Sequence, residues 1–147
     1  FAHNSEYGRS MVQNRCGDFV LINIKKGKDY MKENILIDKS IDFAARIIKL
    51  CKFLEDTRKE HIISKQIIRS GTSIGANINE AQYGNSKADF VSKLHISLKE
   101  TAETEYWLHL LFKSDYIDDK MFDSLIADCL ELKKLLISSI NTAKKNQ

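Results

Sequence analysis

Proline is absent from all 147 residues and glycine is held to six, so the commonest interruptions of a helix are missing. The chain therefore reads as a few long helices. No run of eighteen apolar residues occurs, and the first thirty residues lack the long apolar centre of a secretory signal, which points to a cytoplasmic protein. Cysteine is scarce and odd in number. Cys16, Cys51 and Cys129 share no metal-ligand spacing, and the last two sit among apolar residues, as reduced, buried thiols do. Strong charge is also lacking: a formal net charge of +3 permits contact with nucleic acid but falls short of the basic stripe of a dedicated binder. With 43% hydrophobic and 29% charged residues, the composition is that of an ordinary globular chain with core enough for one domain.

Residues 1–30 differ from the rest. FAHNSEYGRSMVQNRCGDF has no helical period, and FVLINI is a short apolar run followed by KKGKDY. A lone strand there would have no partner in a helical domain, so the segment is expected to be disordered or loosely attached. The codons of KKGKDY permit a purine-rich ribosome-binding site ahead of Met31. Residues 1–30 are therefore read as an extension upstream of a natural start at Met31, with the helical domain at 31–147.

Four amphipathic segments follow. The first runs from about Ile37 to Glu55, with Ile41, Ala44, Ala45, Ile48 and Cys51 on one face and Phe43, Ile47, Leu50 and Leu54 beside it. The second, His61 to Gln82, ends at Tyr83-Gly84-Asn85-Ser86, where a glycine cap is followed by a serine N-cap with Asp89 at capping-box spacing. The third carries Val91, Leu94, Leu98, Ala102, Glu105, Leu108 and Phe112 on one stripe, and the fourth, about Lys120 to Lys144, carries Leu125, Cys129, Leu132, Leu136 and Ile140. Turns of a few residues force antiparallel neighbours, so the expected fold is an all-α, up-down-up-down antiparallel four-helix bundle with an irregular N-terminal extension.

The most informative stretch is RSGTSIGANINEAQYG, Arg69 to Gly84. Ile67, Ile74 and Ile78 mark one helical face, and Gly71, Gly75 and Ala76 place small residues where glycine would otherwise cost about 1 kcal/mol. Either a neighbouring helix of the same bundle or another subunit packs close there. SGTSIGANINEAQ on this helix and SLKETAETEYWL on the next are together similar to the family of four helix bundle proteins, or 23S rRNA intervening sequence proteins. The likeness is specific over Arg69 to Leu108 and extends more loosely from about Met31 to Lys145. It implies an up-down bundle that self-associates, commonly as a pentameric ring, and a connection to RNA. Accessory proteins of diversity-generating retroelements, which engage a reverse transcriptase, are related to the same family.

Catalytic constellations are not formed. Glu105 and His109 are four apart where an iron-carboxylate bundle needs Glu-x-x-His, His3 and His61 stand outside the helical cores, and SGTSIGAN lacks the GK[ST] ending of a phosphate loop. No metal or cofactor is expected, and an enzyme is the least supported class. Glu105, a carboxylate on an apolar stripe, either snorkels outward or forms a buried ion pair with Arg69.

Basic residues concentrate between Arg46 and Arg69: Arg46, Lys49, Lys52, Arg58, Lys59, Lys65 and Arg69 outnumber Glu55, Asp56 and Glu60. They form either a solvated polar end or a surface for RNA backbone, which a ring would multiply. The expected function is thus a nonenzymatic, self-assembling bundle that binds RNA weakly; the alternative is a protein-binding accessory factor.

Overall fold

The computed structural model describes the backbone of residues 7–13, 19–25 and 28–145, and side chains over 35–145. The chain divides into two compact units, Phe1–Ile35 and Leu36–Gln147. In the first, β1 (Tyr7–Gln13) pairs antiparallel with β2 (Phe19–Lys25), Tyr7 opposite Lys25 and Gln13 opposite Phe19. The apolar run expected as a lone strand therefore has a partner. YGRSMVQ does not alternate polar and apolar residues, so pattern alone gives no sign of it. His3 and Cys16 lie outside the described residues, as does the side chain of Met31.

The second unit is built from α1 (Lys28–Asp56) from Leu36 onward, α2 (Ile63–Ala81), α3 (Lys87–Lys113) and α4 (Asp119–Lys145). Helix α1 starts well before Ile37 because KDYMKEN, which has no apolar period, is rich in helix formers and free of breakers. The helices form an antiparallel four-helix bundle. Helix α2 packs on α3 and α3 on α4, while Gly71 of α2 abuts Ile47 of α1 and Lys39 of α1 bridges to Glu131 of α4.

Each turn is capped by a side chain. Ser86 Oγ accepts from Asp89 N–H at 3.1 Å, and Asp89 reaches back to Asn85 N–H, one residue before the usual target of a capping box. Asp118 accepts from Met121 N–H at 2.8 Å to start α4. Lys59 (φ 55°) and Asp115 (φ 60°) take the left-handed conformation after α1 and α3, a role more often given to glycine. Gly84 has a different reason to be glycine: a Cβ there would lie 3.2 Å from the Ala81 carbonyl oxygen and from Phe90 N.

The core departs from the apolar pattern in two helices. On α1, Leu36, Phe43, Ile47, Leu50, Cys51 and Leu54 are buried, whereas Ile41 and Ile48 are 59% and 43% exposed. On α3, the innermost stripe runs Val91, Leu94, Ser97, Thr101, Thr104, Leu108 and Leu111. The expected Leu98, Glu105 and Phe112 only flank it, and Ala102 is exposed. Hydroxyls can occupy the centre because each has a hydrogen-bond acceptor there: Thr101 Oγ1 donates to the Ser97 carbonyl and Ser97 Oγ to the Ile74 carbonyl, both at 2.8 Å.

Candidate functional site

Two regions concentrate the residues that the sequence singles out: the seam between α2 and α3, and the pole formed by the α1–α2 turn.

At the seam, Ser70, Ser97, Thr101 and Thr104 are buried. Ser97 crosses to the α2 backbone, and Thr104 Oγ1 donates to Ser70 Oγ at 2.9 Å, which donates onward to the Ile67 carbonyl at 3.3 Å. On the other side of α2, a Cβ on Gly71 would meet Ile47 Cγ1 and Cγ2 at 3.0 Å, and one on Gly75 would meet Ser40 Oγ at 3.0 Å. Both glycines thus mark close approach of α1 within the bundle, while Ala76 faces outward.

Arg69 does not meet Glu105. It pairs with Glu103 Oε1 at 2.7 Å, in a largely exposed bridge that also accepts from Trp107 Nε1 at 3.2 Å. Glu105 instead takes Lys133 of α4 at 2.6 Å. The helical level expected for Arg69 is right, but two residues along a helix turn through about 200°, which sends Glu103 towards α2 and Glu105 towards α4.

At the pole, the seven basic residues separate into two groups. Arg46 reaches α4, pairing with Asp128 and bonding Ser124 Oγ at 2.6 Å. Arg58 donates to the Asp115 carbonyl and lies 5.7 Å from the centre of the Tyr116 ring. Arg69 is held by Glu103. Arg46 and Arg69 join helix to helix, and Arg58 joins the α1–α2 turn to the α3–α4 turn. Lys49, Lys52, Lys59 and Lys65 are exposed and have no hydrogen-bonding or ionic partner among the described residues.

The residue that pattern reading misses here is Glu60. It is buried, and its carboxylate accepts from the N–H groups of Ile62, Ile63 and Ser64 at 2.8–2.9 Å, capping α2. Burial by itself would raise its pKa; the three backbone donors and nearby His61 outweigh that and hold it below the usual glutamate value. Glutamate is not among the favoured N-cap residues, so its position two residues before Ile62 gives little warning. Cys51 and Cys129 are buried thiols, pushed up to about 11 and about 12 first by burial and then by the carboxylates of Glu55 and Glu105 respectively. They are poor nucleophiles. Among the described residues no cluster of His, Cys, Asp and Glu is suited to a metal ion, and no helix is long and apolar enough to cross a membrane.

Fold and site together define an antiparallel helical bundle whose most distinctive residues set helix spacing. The chain belongs to the 23S rRNA-intervening sequence protein family, whose sequence profile matches residues 32–138. It is similar to a crystal structure of a protein with unknown function from the S23 ribosomal protein family of Bacteroides thetaiotaomicron. That protein is 55% identical, with 76% of this chain and 99% of that chain covered and a TM-score of 0.75. No curated protein matches the chain.

Proposed function

We propose that this protein is a nonenzymatic, self-assembling helical module of the cytoplasm that holds RNA by its backbone through the lysines of its α1–α2 pole. The carrying observation is the division of polar groups: the hydroxyls, glycines and arginines are engaged in packing helices together, and lysines at the pole are left facing solvent. The family's name adds an RNA context. Few lysines per chain give weak binding, and a ring, pentameric on the resemblance to the family, repeats them. Phosphate contact makes such binding steeply dependent on salt and nearly independent of sequence.

The test measures affinity for two unrelated RNAs of equal length across a salt series, with wild type and a Lys59→Glu, Lys65→Glu variant. The expected result is similar affinity for both RNAs, a steep fall with salt and a uniform loss in the variant. Binding that ignores salt and charge reversal would overturn the reading.

A second reading rests on a different surface. Tyr106 is 59% exposed and meets Trp107 edge-on at 4.9 Å, with Arg69 joined to Trp107 through Glu103. These residue types dominate protein-binding hot spots. A reverse transcriptase encoded beside the gene, bound by wild type and released by Tyr106→Ala, would support the accessory role.

A further inference from the structure

Helix α1 carries a second ordered face, turned away from the core. At about 100° per residue, a solvent-side arc roughly 120° wide and centred on Ala45 holds the carboxylates of Asp38 and Asp42, the side chains of Ile41 and Ile48, and the ammonium groups of Lys49 and Lys52. All of these residues are exposed. None of the four charged ones has an ionic partner among the described residues; the charges that α1 shares with α4 are those of Lys39 and Arg46. Between residues 38 and 52 the acids lie on the N-terminal side of Ala45 and the lysines on the C-terminal side; Asp56, the last residue of the helix, falls on the same arc beyond them. Dipole complementarity fades within a turn of a helix end, and Asp38 and Asp42 lie well inside a helix that begins at Lys28.

We propose that this face pairs with the same face of a second copy, α1 antiparallel to α1, about a two-fold axis at Ala45. Such an axis brings level the residues equally distant from Ala45 on either side, puts those three and four residues away within one residue's rise of each other, and keeps each flank of the arc on its own side. Asp42 and Lys49 share one flank, so Asp42 meets the partner's Lys49 along that edge. Ile41 and Ile48 share the other, so Ile41 meets the partner's Ile48. Asp38 reaches the partner's Lys52 at each end, and the methyl of Ala45 lets the helices approach at the centre. A parallel pairing would instead set carboxylate on carboxylate and ammonium on ammonium. RNA is a poor occupant because Asp38 and Asp42 would repel phosphate. An isologous contact of this kind closes on itself and doubles whatever the other faces assemble.

The inference rests on the self-association proposed above and adds to it a second, two-fold contact distinct from the one that closes a ring. It engages Lys49 and Lys52 and leaves Lys59 and Lys65, beyond the end of α1, for RNA.

The experiment uses two full-length variants, one with Asp38→Lys and Asp42→Lys and one with Lys49→Asp and Lys52→Asp. Circular dichroism confirms that each retains wild-type helicity, as surface positions should. Mass is followed by sedimentation at concentrations up to about 0.5 mM, since one helix pair lies at the small, weak end of interface sizes. Wild type is expected at twice the mass of either variant, and mixing the two variants should restore the doubled mass, because an all-basic face then meets an all-acidic one. If wild type and both variants form the same multimer, self-association stands and the α1 pairing is overturned. If wild type is a monomer throughout, both are overturned.

Discussion

Thr104 and Ser70 share a 2.9 Å hydrogen bond across the seam between α3 and α2, both side chains buried. Replacing Thr104 by valine keeps the shape and removes the donor, and should cost about 1 kcal/mol in a urea titration. Adding Ser70→Ala should cost less than it does in the wild-type background, because the bond is already gone. Additive losses would show that the two hydroxyls act separately.

Gly75 sets the distance between α2 and α1. A leucine there has to displace Ser40, whose Oγ would lie 3.0 Å from the new Cβ. Gly75→Leu should therefore lower stability by at least about 1–3 kcal/mol, the usual cost of overpacking. An unchanged denaturation midpoint would remove the close-approach role of this glycine.

Glu60→Gln tests the buried cap on α2. Loss of the charge-assisted bonds should cost about 1–2 kcal/mol near neutral pH. The sign with pH follows from the lowered pKa: the stabilisation is fully present above the ordinary value of 4.5 and is lost as pH falls through the lower folded value. Wild type and variant should converge in acid, as read by urea midpoints over the same range.

The buried thiols predict the opposite trend at alkaline pH. Cys51 and Cys129 stay protonated in the fold up to about 11 and about 12, whereas an unfolded thiol ionises near 9.0. Stability should thus decline as pH rises beyond 9.0, and Cys51→Ala with Cys129→Ala should flatten that decline. In the native protein both thiols should react with a maleimide only as fast as the bundle opens.

Helix number, order and antiparallel sense were legible because they rest on apolar period, absent proline and short turns. The choice of core face was not. On α1, Ile41 and Ile48 compete with Phe43 and Ile47 for the interior, and hydropathy cannot rank two apolar faces of similar strength. On α3, Ser97, Thr101 and Thr104 look like surface residues until their acceptors are seen. The same blindness separates Glu103 from Glu105: sequence places a carboxylate level with Arg69, and only the packed helices show which one faces it. Of the basic cluster, the sequence marked every member but could not tell bundle-tying arginines from solvent-facing lysines, since both are simply cationic in composition.

Helix α2 is stepped on both flanks, with glycines towards α1 and hydroxyls towards α3. A slide of one turn would drive Ile67 into the space that Gly71 leaves for Ile47, or set Asn79 against Ser40, and would part Thr104 from Ser70. The ratchet of one helix past another, a common way for helical proteins to carry a signal, is thereby closed to this one. Each bundle is thus a stiff strut, and in the self-assembly proposed above any switching would fall to the joints between copies.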